Sequence, residues 1–403
     1  MVRQRAVSPA VARLKVLSVC RSLPTPEDPS SGVFVFNRLA AMRRYADVEI
    51  LQPVPHFPLV KSLPAWARGP RQIGNVPVTA TPMFYVPKFL KSLDAMWLRR
   101  SIEGVVQALY RRGALDLIDA HFGYPEGAAC VQIAHRLGIP SFITVRGFEN
   151  EYLRISGIGD QLVTALRSAA ACVCVSHSLR ELILRHGVAP DRVTVIHNAI
   201  DRDLFRPGDR TAARAAVGVP AGVPLVVSVG HLVTRKRHHV LIEAFARLKR
   251  RHPEARLAIV GAVTFEPDYP EHLGRLAGEL SVSDSVQFVG NLRQMQVVQW
   301  LRAADAFALG TEREGCCNAL LEALACGVPV VTTPAGDNAW FVKEGVNGYI
   351  VPVDDAEAME AALAKVLARA DWDRARISRD LHVGTWDDVG REVVDFFAAR
   401  AFR

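Results

Sequence analysis

Two carboxylates, Glu314 and Glu322, frame the densest chemistry in the chain: Glu314-Gly315-Cys316-Cys317-Asn318-Ala319-Leu320-Leu321-Glu322. Glu314 follows a strand-like apolar run at 306–309, a tight turn comes next, and a helix is expected to start there with Asn318 as its cap. Glu322 falls one turn into that otherwise apolar helix, where a carboxylate is costly unless it meets a partner such as a ribose diol. Backbone N–H groups of Gly315, Cys316 and Cys317, with those of the helix N-terminus, can face a pyrophosphate. A second cluster, Gly230-His231-Leu232-Val233-Thr234-Arg235-Lys236-Arg237, directly follows the apolar run 225–229. Three cations ahead of a helix can clamp a diphosphate, Arg as a fork and Lys as a point charge. The blander alternative is a solvated basic loop.

Two further segments sit where a strand hands over to a helix. Pro29-Ser30-Ser31-Gly32 leads into an apolar helical stretch, and Gly32 would allow a ligand to approach the backbone closely. Asp119-Ala120-His121-Phe122-Gly123-Tyr124-Pro125-Glu126-Gly127 ends another strand-like run, and His121 there could donate to a hydroxyl or move a proton, or equally be a buried, hydrogen-bonded histidine at a strand end. The dinucleotide fingerprint G-x-G-x-x-G is absent, which counts against hydride transfer.

The elements that must position these residues alternate strand with helix. Strand-like runs fall at 16–20, 48–51, 117–120, 141–145, 171–175 and 193–196, then at 225–229, 256–260, 286–289, 306–309, 329–332 and 348–351. Helical patterns lie between them at 34–44, 127–137, 178–185, 240–251, 295–304 and 318–326. Alternation of this kind builds parallel sheets covered on both faces, and two series make two sheets. The turn-rich stretch 198–224 is the expected border between an N-terminal domain at 1–198 and a C-terminal domain at 199–384. A last helix at about 385–403 is expected to pack back on the first domain. Such sheets bind ligands at the carboxyl ends of their strands, and the cleft between two of them is the expected site.

Composition narrows the class. Of 403 residues, 50% are apolar and 22% charged, as in a folded soluble protein. No uncharged apolar run reaches the length of a membrane span, and the basic start, Met1 to Lys15, lacks a secretory pattern. Seven cysteines without zinc-finger spacing read as reduced thiols, which places the chain in the cytoplasm. The net charge of +8 is uneven: residues 1–100 carry 15 Lys+Arg against 5 Asp+Glu, residues 101–200 balance, and the rest is net −2. A basic first hundred residues favours anionic partners.

At these motifs the chain resembles the retaining glycosyltransferases of family 4, with the two-domain GT-B fold of doubly wound, Rossmann-like parallel sheets facing a central cleft. The resemblance spans nearly the whole chain. It rests on the E-x7-E pattern from Glu314 to Glu322, on His197-Asn198-Ala199-Ile200-Asp201 with Phe205-Arg206-Pro207, on Arg235-Lys236, and on Asn347-Gly348-Tyr349-Ile350-Val351-Pro352. It implies a nucleotide sugar, UDP- or GDP-linked, transferred to a hydroxyl of a glycan or lipid-linked acceptor in polysaccharide or glycolipid assembly. Arg235 and Lys236 would neutralise the departing diphosphate, and Glu314 would bond the sugar with help from Gly230 and the Gly315, Cys316, Cys317 and Asn318 backbone. Glu322 would take the ribose, and Gly290, Asn291 and Leu292 would lie against the base. Gly32, His121, Tyr124 and Glu126 would serve phosphate and acceptor from the first domain. No cofactor and no metal are implied.

Two departures stand out. Arg146 occupies the place where relatives carry a His beside the donor sugar, and can bind an anion or Glu149; His231 stands where Arg is common. The basic, amphipathic segment 88–100 reads either as a peripheral contact with an anionic membrane surface or as an ordinary docking helix with a basic outer face, and nucleic acid is not expected. A nucleotide-sugar epimerase of similar fold and a non-catalytic nucleotide- or glycan-binding protein are the alternatives.

Overall fold

Leu225-Val226-Val227-Ser228-Val229 is apolar at nearly every position because both faces of its sheet are covered. Leu225 and Val227 join one buried cluster with Phe307, Leu309 and Val330, while Val226 joins another with Leu257, Ile259 and Val331. The computed structural model describes residues 13–58, 62–87, 89–264 and 266–401. Most of the basic start (1–12) and Lys88 of the amphipathic segment lie outside them.

The chain forms two units. The first takes the described residues up to Cys174, Leu182–Ile196, and the chain from Trp386 onward; the second takes Val175–Glu181 and His197–Thr385. In the first unit the strands are β1 (Lys15–Val19), β2 (Asp47–His56), β3 (Gly69–Ile73), β4 (Val76–Phe84), β5 (Leu117–His121), β6 (Ser141–Val145), β7 (Ala171–Cys174) and β8 (Val193–Val195). They lie in the order β3-β4-β2-β1-β5-β6-β7-β8, parallel except for the β3–β4 edge pair. The second unit has β9 (Leu225–Val229), β10 (Arg256–Val260), β11 (Val286–Gly290), β12 (Ala306–Leu309), β13 (Val330–Thr332) and β14 (Gly348–Ile350). Their order is β11-β10-β9-β12-β13-β14, all parallel.

Each sheet reverses its winding once: between β1 and β5 in the first unit and between β9 and β12 in the second. Loops leaving the carboxyl ends of such a pair diverge and open a crevice. The motif segments leave these four strands, 20–32 after β1, 122–127 after β5, 230–237 after β9 and 310–318 after β12.

Helix Asp94–Arg111 shows how a sequence stripe becomes packing. Ala95, Leu98, Ile102, Val106 and Leu109 recur on one face and are buried, so the helix docks on the first sheet. Burying Leu98, Ile102 and Val106 contributes roughly 1.5–3 kcal/mol each. The amphipathic segment is therefore divided. Its helical apolar stripe faces inward, Arg99 pairs with Glu103 at 3.1 Å, and Phe89 (72% exposed) and Leu90 (58%) are its exposed large apolar side chains among the described residues. Helix Trp386–Ala401 lies across helix Val33–Met42, where Gly390 is required: a Cβ there would stand 2.8 Å from the Ala41 Cβ. Phe397 stacks beside Phe142 with ring centroids 4.4 Å apart.

Candidate active site

In the second unit, residues 78 apart in sequence meet at the winding reversal. After β9 the chain makes a 3-10 turn, Thr234–Lys236, and Lys236 Nζ donates to Glu314 Oε1 at 2.6 Å. Arg235 Nη1 stands 3.7 Å from Glu314 Oε2 and donates to the Arg313 carbonyl at 3.3 Å. The two loops are tied along their backbones as well, since Glu312 N–H donates to the Arg235 carbonyl at 2.8 Å. The Lys236 and Glu314 side chains are only 10% and 7% exposed, so this ion pair is held in low dielectric. A cation fixed there costs no reorganisation when a second anion arrives beside it.

Helix Asn318–Ala325 starts without a side-chain cap, with Cys317 in the cap position. The sequence assigns that cap to Asn318; the structure makes Asn318 the first helical residue, because its Oδ1 instead accepts from Asn198 Nδ2 at 3.0 Å. The Asn318 N–H itself turns to the Cys316 carbonyl at 3.0 Å. One turn on, Glu322 is half-buried and burial pushes its carboxyl up to about 8. Among the described residues no cation or hydrogen-bond donor meets that carboxylate. Cys317 is buried, and burial together with Glu314 raises its thiol to about 12, so it is unreactive. Gly290 (φ +84°), Asn291 and Leu292 follow edge strand β11, two strands from β9, and Leu292 packs on the core.

The first unit holds a buried chain of polar groups at its own reversal. His121 Nε2 lies 3.0 Å from Asp119 Oδ2, and Arg146 Nε donates to His121 Nδ1 at 3.2 Å. Ser18 and Thr144 hydroxyls complete the hold on Asp119, at 3.1 and 3.3 Å. Burial, opposed by Asp119, brings His121 down to about 4, so the ring is neutral and its two nitrogens are both engaged. His121 is a positioning residue for Arg146, and the proton-transfer role expected from sequence has no free nitrogen to use. Burial, then the nearby Arg38 charge, pulls Arg146 down to about 9, which leaves it cationic at neutral pH. Arg38 is itself fully buried, and two of its guanidinium nitrogens lack a hydrogen-bond partner among the described residues.

Other expectations change on the structure. Glu149 accepts the backbone N–H groups of Arg146, Gly147 and Gly123, at 3.1, 2.7 and 2.8 Å, so it binds the loop rather than the Arg146 guanidinium. Tyr124 and Glu126 are buried: Tyr124 donates to the Lys91 carbonyl, and Glu126 Oε1 accepts from Arg21 Nε at 2.8 Å. These two side chains shape the first unit from inside. Gly32 adopts φ +58° and is covered by its own chain, since a Cβ would meet the Ser22 carbonyl at 2.0 Å; that space does not wait for a ligand. Gly230 lies under the Lys236 stem, 3.3 Å from where its Cβ would be. Sequence reasoning missed Arg38 and Arg21, single arginines in an apolar helix and a loop, whose only signal is that a charge on an apolar face needs a partner.

Comparison with known proteins agrees with this architecture. A family model described as "Glycosyl transferases group 1" matches residues 209–379, and one described as "Glycosyltransferase Family 4" matches residues 42–204. The chain is 32% identical over 363 residues to D-inositol 3-phosphate glycosyltransferase of Saccharomonospora viridis, covering 86% of this chain and 79% of that one. It is 31% identical over 313 residues to D-inositol 3-phosphate glycosyltransferase 2 of Catenulispora acidiphila, covering 72% of each. Among solved structures, sucrose-phosphate synthase from Thermosynechococcus elongatus superposes with a TM-score of 0.79 at 18% identity, over 96% of this chain and 99% of that one. Anabaena HepE, solved with UDP and glucose, superposes with a TM-score of 0.74 at 18% identity, over 96% of this chain and 100% of that one.

Proposed function

Because the chain belongs to the family 4 glycosyltransferases of GT-B fold, we propose that it moves a sugar from a UDP- or GDP-sugar to an acceptor hydroxyl with retention at the anomeric carbon. The observation that carries this reading is the Lys236–Glu314 pair, drawn from two loops at the winding reversal of the second sheet. In this reading Arg235, Lys236 and the uncapped helix N-terminus take the diphosphate, whose charge grows as the glycosyl bond to its oxygen breaks. Glu314 accepts from sugar hydroxyls, and Glu322, with no cation against it, accepts from the ribose diol. Gly290, Asn291 and Leu292 flank the base. Transfer then rests on electrostatic stabilisation of the leaving group, and no metal is assigned to it.

The acceptor we propose carries negative charge. Arg146 and Arg38 place two cations within the first unit with Asp119 as their nearest shared carboxylate. A phosphate-bearing glycan or lipid-linked glycan, as in polysaccharide or glycolipid assembly, fits that charge and the basic first hundred residues. The relatives named for D-inositol 3-phosphate favour a second reading, a small phosphorylated polyol.

The test combines binding with turnover. UDP or GDP should raise the thermal midpoint by a few degrees near 100-fold its Kd, a gain of roughly 2.7 kcal/mol. Glu314→Gln and Lys236→Ala should each lower kcat by about 10²–10³-fold, with Glu314→Gln still binding the nucleotide. Lys236→Ala should also cost about 3–5 kcal/mol of stability, because it strands a buried carboxylate. No shift with either nucleotide, or unchanged turnover in both variants, rejects the assignment. Product formed from donor alone would indicate epimerisation, and the anomeric configuration of the transferred sugar, read by NMR, decides retention.

A further inference from the structure

We propose that His177, His197 and Asp337 form a site for one divalent transition-metal cation of the zinc class, and that the occupied site braces the loop carrying Glu314. The bracing role rests on the donor-site reading above; the metal site itself does not. His177 Nδ1 lies 2.9 Å and His197 Nε2 2.8 Å from Asp337 Oδ2. The three ligand atoms all stand within 4.8 Å of one another, and all three residues belong to the second unit.

The hydrogen-bond pattern is lopsided in a way that a cation resolves. Oδ2 also receives the His177 backbone N–H at 2.7 Å, while Oδ1 receives only the Ser178 N–H, at 3.1 Å. One carboxylate oxygen offers about two lone pairs, yet three nitrogens converge on Oδ2. With the ring nitrogens deprotonated, two imidazole lone pairs and a carboxylate lone pair point at one small volume, an arrangement that is favourable around a positive ion.

Ligand type sets the metal class. Two imidazoles and one carboxylate suit Zn²⁺ and its neighbours, with the fourth position left to water, whereas Mg²⁺ and Ca²⁺ prefer oxygen ligands. Ligand atoms 2.0–2.1 Å from a tetrahedral ion are roughly 3.3 Å apart, so the two rings would retreat by about 0.5 Å. The outer contacts that orient such ligands are present. Two backbone N–H groups hold the carboxylate. Trp340 stacks on the His177 ring with centroids 4.3 Å apart, and Phe341 meets the His197 ring edge-on at 5.2 Å. An ion can enter, since the His177 side chain is 42% exposed and that of His197 21%.

The cluster adjoins the loop at both of its ends. Gly336, next to Asp337, has φ +61° and lies so close that a Cβ would stand 3.0 Å from the Glu314 Cβ. Asn198, next to His197, donates to Asn318, the first residue of the following helix. The resemblance implies no metal, and no ligand cluster shows in the sequence, where His197 and Asp337 are 140 residues apart.

The test is a titration of the full chain, stripped with EDTA and desalted, with Zn²⁺ against a chromophoric competitor and with Co²⁺ followed by visible absorbance. The expected result is one equivalent of Zn²⁺ and four-coordinate Co²⁺ bands. His177→Gln and His197→Gln should each weaken binding at least tenfold, and the double variant should lose both signals. Circular dichroism reports whether the variants are folded, and a smaller nucleotide thermal shift in the folded double variant than in the zinc-loaded wild type is the expected sign of the lost brace; an equal shift overturns the bracing role. Absence of stoichiometric Zn²⁺ uptake by the wild type, or uptake by the folded double variant as tight as wild type, overturns the proposal. If Zn²⁺ binds as expected but no nucleotide does, the metal site stands and the donor reading fails alone.

Discussion

Glu322 shows what one residue's surroundings require of it. Its carboxyl, ordinarily near 4.5, is pushed up to about 8 by burial alone. The folded protein therefore holds this proton more tightly than the unfolded chain. Its contribution to stability is most favourable below about pH 4.5, falls as pH rises toward about 8, and is constant above that. Glu322→Gln should remove this slope, so the variant's thermal midpoint should gain on the wild type between pH 5 and pH 8 and run parallel beyond. Equal pH profiles would show that the carboxyl is not isolated. The same proton bears on binding. Ribose hydroxyls donate best to the ionised carboxylate, so nucleotide affinity should climb with pH over this window in the wild type and stay flat in Glu322→Gln. The buried chain from Asp119 through His121 to Arg146 obeys a different logic, with His121 spending both nitrogens on its neighbours.

Among elements, the packing of the last helix on helix Val33–Met42 depends on Gly390, and the sign of its replacement is decidable. Helix propensity alone would make Gly390→Ala stabilising by up to about 1 kcal/mol. The contact, with backbone and Cβ of Ala41 under 3.0 Å from a new Cβ, opposes that. We expect Gly390→Ala to destabilise, and Gly390→Val to cost about 1–3 kcal/mol by overpacking, measured as loss of thermal midpoint. A stabilised alanine variant would mean that the helices separate freely. Legibility at this scale followed burial. Every strand of the second sheet was readable to within a residue, because coverage on both faces forces short, nearly unbroken apolar runs. The same held in the first sheet except at β3, β4 and the far half of β2. There Pro70, Pro77, Pro82, Pro53 and Pro55 break the pattern. Leu51 turns its carbonyl to Cys20, so Pro53 and Pro55 face the same side, past the end of β1, where no partner asks for their missing N–H. Motif segments were legible as strand-to-helix loops. The inward turn of Tyr124 and Glu126 was not, because a polar residue in a loop carries no sign of the cation or carbonyl that will meet it from 105 or 33 residues away.

Over the whole molecule, charge is distributed against sequence position: net +10 in the first hundred residues and −2 after residue 200. No helix of the described residues is long and apolar enough to cross a membrane. A lipid-linked acceptor, one of the two acceptor readings proposed above, would call for contact with an anionic surface through side chains. With the apolar stripe of helix Asp94–Arg111 spent on the core, Phe89 and Leu90 are the exposed large apolar side chains of segment 88–100 among the described residues, beside Lys91 and exposed Arg100. Inserting two such side chains gives roughly 3–6 kcal/mol at full burial, and each basic group near the surface about 1 kcal/mol more. That sum supports weak, reversible binding, screened by salt because the Debye length shrinks from about 10 Å at 0.1 M to 3 Å at 1 M. We therefore expect the full chain to co-sediment with vesicles containing anionic lipid at low salt, to release at about 1 M salt, and to ignore neutral vesicles. Phe89→Ser with Leu90→Ser should weaken the low-salt binding at least tenfold while leaving the fold intact, since neither side chain is packed. Binding that survives both high salt and the double substitution would place the contact elsewhere on the surface. Absence of binding to anionic vesicles at low salt would favour a soluble phosphorylated polyol over a lipid-linked acceptor.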